Sequence, residues 1–96
     1  MNYYQINAFA NKIYYENMKT FKDLVFEPHP IGTGEIARIE FKNGHGISVV
    51  HGHIFLGENS LYDMAEIFNG EVVTSTNVME VTEEQITNKM IELQEQ

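Results

Sequence analysis

The residues best equipped for chemistry are the four histidines, and two of them stand one residue apart, His51-Gly-His53. On a strand, the period of two puts both imidazoles on the same side. Two neutral imidazoles so placed can share a metal ion. A structural zinc site needs four ligands, and a catalytic one needs three plus water. Glu27, Glu35 and Glu58 are available, but nothing in their spacing completes the set. His45 lies near a turn and His29 sits between Pro28 and Pro30. Surface and turn histidines without a ligand are therefore the preferred reading. A small metal-binding protein using His51 and His53 is kept as an alternative, and no metal site is assigned.

The other reactive groups are weaker still. Glu83-Glu84 is explained by helix capping, and Glu66 and Glu71 only flank a turn. Acid–base work needs two carboxylates converging in a cleft with their pKa values driven apart. Gly32-Thr-Gly34, and Gly44 with Gly46, lack the lysine of a phosphate loop and the strand–loop–helix setting of a dinucleotide fingerprint. Ser48, Ser60 and Ser75 have no nucleophile-elbow context. No catalytic residue and no cofactor is assigned, and the chain is read as a non-enzyme.

Charge is the stronger signal. The formal net charge is −8, and residues 61–96 alone sum to −7, with Lys89 the one cation against eight acids. A nucleic-acid binder must neutralise phosphates with Lys and Arg, so direct nucleic-acid binding is not expected. An acidic end suits a basic partner or simple solubility. There is no cysteine, which fits a cytosolic setting. No apolar run is long enough to span a bilayer, and Met1-Asn-Tyr-Tyr-Gln-Ile lacks the basic start and apolar core of a signal peptide. The 96 residues suit one domain, with residues 1–17 as a helical extension and 18–96 as the core.

These groups need elements to hold them. In residues 3–17, Tyr3, Ile6, Phe9, Ala10, Ile13 and Tyr14 fall on one side of a helical wheel. Tyr4, Ala8 and Tyr15 fall opposite, where they are either wet tyrosines or a contact for a second subunit. Residues 23–27 read as a short strand ended by Pro28 and Pro30. The clearest local signal is a hairpin over 36–42 and 47–51 around Asn43-Gly44, since both residues tolerate the positive φ of a type I′ turn. A two-residue turn would pair Phe41 with Gly46. The apolar pattern instead favours Phe41 opposite Ile47 and Ile39 opposite Val49, with a three-residue loop, His45 near the left-handed region and a bulge at Gly46. Asn69-Gly70 signals a second hairpin, over 61–68 and 71–75, followed by a polar connector to residue 81. Thr82-Glu-Glu-Gln85 is a capping box that opens a C-terminal helix with Ile86, Met90 and Leu93 buried. The expected fold is α+β: an antiparallel sheet of four to five strands built from two hairpins, with an N-terminal and a C-terminal helix packed on it.

Three stretches together resemble a family. Glu27-Pro-His-Pro-Ile-Gly-Thr-Gly34, then Phe41-Lys-Asn-Gly-His-Gly-Ile-Ser-Val-Val50 with Gly52, then Leu61-Tyr-Asp-Met-Ala65, look like small uncharacterised proteins encoded by tailed phages and prophages. The resemblance covers residues 18–93 and implies a phage context, the host cytoplasm and a fold, but no mechanism. Joined to the charge pattern, it suggests an accessory protein that binds a host protein with a basic surface. Such a host protein would be a nucleic-acid-handling or defence complex, inhibited in the anti-CRISPR style. The candidate partner-binding residues are Glu71, Glu80, Glu83, Glu84, Glu92, Glu95, Tyr4 and Tyr15. The rival is a structural or self-assembling module that forms a homodimer through the N-terminal helix.

Overall fold

The computed structural model describes residues 18–31, 34–51 and 61–96. They form a 3₁₀ turn (Phe21–Asp23), strands β1 (Glu27–Pro28), β2 (Glu35–Glu40), β3 (His45–His51), β4 (Tyr62–Phe68) and β5 (Glu71–Val81), and helix α1 (Glu83–Gln94). The strands make one antiparallel sheet in the order β1-β2-β3-β4-β5, a meander in which each strand pairs with its neighbours in sequence. The α+β class stands. The expected helix over residues 3–17 lies outside the described residues.

Helix α1 begins where the capping box places it. The Gln85 N–H donates to Thr82 Oγ1 at 3.2 Å, and the Thr82 N–H donates to Gln85 Oε1 at 2.8 Å. Its apolar residues Ile86, Met90 and Leu93 recur at helical spacing and are buried against one face of the sheet. That face supplies Ile47 and Val49 from β3, Tyr62 and Met64 from β4, and Val81 from β5. Phe21, Leu24, Phe26, Ile39 and Phe41 close the rim of this core. Each fully buried Ile, Met or Leu contributes about 1.5–3 kcal/mol relative to exposure.

The same dipeptide makes two different turns. At Asn69-Gly70 both residues have positive φ, 49° and 87°, and Phe68 pairs with Glu71, as a type I′ turn requires. At Asn43-Gly44 only the glycine does, at 88°. The Phe41 N–H donates to the His45 carbonyl at 2.7 Å and the Gly44 N–H to the Phe41 carbonyl at 3.1 Å. The loop is therefore Lys42-Asn43-Gly44, a turn closed by a glycine in the left-handed region. Neither register read from the sequence is found. Ile39 lies opposite Ile47 and Ala37 opposite Val49, two residues from the register that the apolar match suggested. A shift of two keeps the same residues on the core face, which is why the face was right and the pairing was not. Gly44 takes the left-handed position more cheaply than His45 could. Gly46 is not bulged but pairs regularly with Glu40, where a Cβ would strike the Ile39 carbonyl.

Asn43 is free for other work because it does not supply a positive φ. Its Oδ1 accepts from the His45 N–H at 3.0 Å, and its Nδ2 donates to the Leu93 carbonyl at 2.8 Å. The hairpin loop thus caps the last turn of α1, whose carbonyls lack helical partners. Gln94 adds a second tie: Nε2 donates to the Lys19 carbonyl and Oε1 accepts from the Lys19 N–H, both at 2.8 Å.

Two other expectations change. The strand expected over 23–27 is a 3₁₀ turn followed by the two-residue β1, of which Pro28 is the last residue. Asp23 Oδ2 accepts from the Thr20 N–H at 2.9 Å, and Thr87 Oγ1 accepts from the Phe21 N–H at 3.0 Å, which fixes the turn. Pro28 is tolerated because β1 is an edge strand. The connector expected over 75–81 is the second half of β5. Glu66 lies opposite Val73 but Met64 lies opposite Val78, so extra residues of β5 arch away from the ladder. Thr76 Oγ1 fills the gap, accepting from the Glu66 N–H at 2.8 Å and donating to the Val73 carbonyl at 2.6 Å. Polar residues that read as a linker thus complete the sheet with a side-chain hydroxyl.

Asn43→Gly removes both ties of its side chain and is expected to cost about 1–2 kcal/mol in urea unfolding. Asn69→Gly, at a position where positive φ is the requirement, is expected to change stability by less than about 0.5 kcal/mol.

Candidate functional site

The carboxylates of the C-terminal third are placed by β4, β5 and α1. Glu83 and Glu84 sit in the first turn of α1, where the helix dipole favours negative charge. Glu92 and Glu95 sit at its other end, where the dipole disfavours it and the last turn holds no cation. Glu71 opens β5 directly after the Asn69-Gly70 turn, and Glu80 is its penultimate residue. All six of these candidate residues are exposed. Tyr4 and Tyr15 lie outside the described residues.

The single cation of this third is already engaged. Lys89 Nζ lies 2.8 Å from Glu92 Oε2 and 3.5 Å from Glu66 Oε2. The hydrogen bond to Glu92 holds the Lys89 ammonium above its ordinary pKa against the opposing effect of burial. Glu71, Glu80, Glu83, Glu84 and Glu95 make no ion pair with any described cation. The acids form two groups along the molecule. Asp63, Glu80, Glu83 and Glu84 gather where β4 begins and α1 starts. Glu71, Glu92 and Glu95 lie toward the end that holds the two hairpin turns and the last turn of α1.

Tyr62 anchors the first group. Its ring packs edge-on to Phe21 with centroids 5.1 Å apart, and lies 5.8 Å from Phe26 and 4.5 Å from His51. Its hydroxyl donates to Glu83 Oε2 at 3.5 Å. Burial raises the Tyr62 pKa above 10, and the Glu83 carboxylate adds to the rise. Nothing in the sequence marked Tyr62 beyond its place at the head of a strand. Glu80 has a φ of 58°, and its N–H donates to Asp63 Oδ1 at 3.2 Å. This left-handed, exposed glutamate makes the second irregularity of β5.

The histidines do not converge. His29 Nδ1 accepts from the Ile31 N–H at 3.1 Å, and the His45 ring lies 4.8 Å from that of Phe68. His51 is half-buried on Tyr62, with an Nε2 that has no hydrogen-bond partner, and His53 lies outside the described residues. Among the described residues no three of His, Asp and Glu come together as a metal site. Two hollows are lined by described residues. One of about 510 Å³ is lined by Met18, Ile39, Phe41 and Asn43 among others, and one of about 200 Å³ lies under Lys89 beside Met64 and Thr76. The first also holds Lys19, Glu40 and Lys42, and in the second the charged groups Glu66 and Lys89 pair with each other while the Thr76 hydroxyl is bound to backbone. Among the described residues no helix is long and apolar enough to cross a membrane.

No protein-family model matches the chain, and no curated protein or solved structure matches it either. The likeness to phage-encoded proteins therefore rests on its three sequence stretches alone.

Because Tyr62 binds its proton more tightly folded than unfolded, its contribution to stability is complete below pH 10 and is lost as pH rises through the folded value. The melting temperature should fall over that alkaline range, and Tyr62→Phe, which cannot ionise, should fall less steeply. Circular dichroism melts read beside tyrosinate absorbance check this. Glu80→Gly removes the left-handed penalty and is expected to leave stability unchanged or raise it by up to about 1 kcal/mol in chemical unfolding.

Proposed function

We propose that this chain acts by binding: a small acidic accessory protein whose C-terminal third engages a host protein through its basic surface. The observation that carries the reading is the exposure of Glu71, Glu80, Glu83, Glu84 and Glu95 beside a single cation already held by Glu66 and Glu92. Glu92 and Glu95 support it further, since helix stability alone would place cations there. The phage likeness supplies the setting, in which the partner is a nucleic-acid-handling or defence complex of the host. Such complexes carry the basic channels that hold nucleic acid, and an acidic surface competes for them by the same attraction. Binding would block access without chemistry at the acidic surface, in the manner of an anti-CRISPR protein.

The test is binding to purified RNA-guided nucleases and other nucleic-acid enzymes of the host, measured at two salt concentrations. Affinity should fall at least about tenfold between about 50 and 200 mM salt. Replacing Glu83→Gln with Glu84→Gln should weaken it several-fold while helix content is kept, since Gln retains hydrogen bonding to Tyr62. Absence of any salt-sensitive partner would remove the proposal.

A further inference from the structure

Strand β5 is an open edge of the sheet, with β4 as its one neighbour among the described strands. Edge strands are ordinarily guarded by being short or by carrying lysine or proline. Glu71–Val81 is eleven residues long and contains no lysine, arginine or proline. Its guards are two irregularities, the arch around Thr76 and the bulge at Glu80, and the arch spends its hydroxyl inward, on Glu66 and Val73.

The backbone direction follows from the turn. A two-residue type I′ turn makes Phe68 and Glu71 a hydrogen-bonded pair. Alternation then points the N–H and C=O of Val72 away from β4, and beyond Val73 the arch interrupts the ladder. Side chains on both faces are uncovered here: Val72 is 38% exposed and Val73 36%, and farther along Val78 is 45% and Met79 62% exposed. Consecutive valines and the Val78-Met79 pair give an added strand apolar contacts above and below the sheet. Glu71 and Glu80 stand at the two ends of this edge. Arg38 is the one described cation that reaches the nearby turn, where its guanidinium binds the Gly70 carbonyl at 3.3 Å.

We propose that β5 receives an extended segment of the basic partner as a sixth strand. It starts beside Val72, with Lys or Arg side chains meeting Glu71 and Glu80 and apolar ones lying on the exposed valines. This rests on the acidic-surface reading and says how that partner is held. Main-chain hydrogen bonds supply affinity, and alternate side chains supply selectivity. Charge decides against a second copy as the occupant. Two such edges would bring together residues 61–96 of two copies, each carrying −7.

The experiment uses two labelled probes of equal charge: an extended peptide of alternating lysine and valine, and a helical peptide of alanine, leucine and lysine. Val72→Pro deletes an N–H that the chain's own sheet does not use, and Val72→Ala keeps it. The extended probe should bind at least about tenfold more tightly than the helical one and lose about that factor in Val72→Pro, but less than about threefold in Val72→Ala. In the unaltered protein, the extended probe should slow amide hydrogen exchange at Val72, a readout that holds even if Val72→Pro fails to fold. Equal binding of both probes without that protection overturns the added strand and leaves the acidic surface standing. No salt-sensitive binding of either probe overturns both. A dimer at micromolar concentration without peptide, abolished by Val72→Pro, overturns the proposal in favour of a second copy.

Discussion

A five-stranded meander must bury one face, and here a single described helix does it. Everything depends on α1 being held across the sheet at the correct height, and the holding is done at both ends. At its start the Thr82–Gln85 capping box and the contact of Tyr62 with Glu83 fix where the first turn leaves β5. At its end Asn43 reaches from the first hairpin loop to the Leu93 carbonyl, and Gln94 ties to Lys19. Between those fixed points Ile86, Met90 and Leu93 drop into the surface made by Ile47, Val49 and Met64. Without the ties, twelve helical residues with three buried side chains would be marginal.

Those parts of the fold that depend on local chemistry were legible in the sequence. The capping box and the 86/90/93 stripe located α1, and Asn69-Gly70 marked a turn of the expected type. The first hairpin shows the limit. Asn43-Gly44 carries the same local signal, yet a long-range partner, the Leu93 carbonyl at the end of α1, engages the Asn43 side chain and leaves glycine alone to turn the chain. No reading of neighbouring residues contains that partner. The far half of β5 was misread for a related reason. Thr74-Ser-Thr-Asn77 looks like a linker because its side chains are polar, and in the fold one of those hydroxyls substitutes for a backbone partner. For the candidate surface, the position of every acid along the chain was evident. That Lys89 is bound to Glu66 and Glu92 was not, since Glu66 comes from a strand distant in sequence.

The distribution of charge carries a cost that the fold offsets locally only in part, through the pairing of Glu92 with Lys89. Two glutamates occupy the end of α1 where the dipole repels them, and a third, Glu80, sits in a backbone conformation that L-residues disfavour. A chain chosen for stability alone would place lysine at the first two positions and glycine at the third. Local rules are broken at the surface proposed to meet another molecule, while the buried stripe of α1 obeys its rule throughout.

The nearest-neighbour order of the strands has a kinetic meaning. Each ladder joins segments that are adjacent along the chain, so no pairing waits for a distant stretch to be found, and the average loop to be closed is short. Such a sheet can grow ribbon by ribbon from its turns, and speed comes from topology rather than from strong individual contacts. The apolar face is wet until α1 arrives. The vulnerable species during assembly is therefore the finished sheet with its helix undocked, and the interval in which it can stick to its neighbours is set by how quickly the Asn43 latch closes.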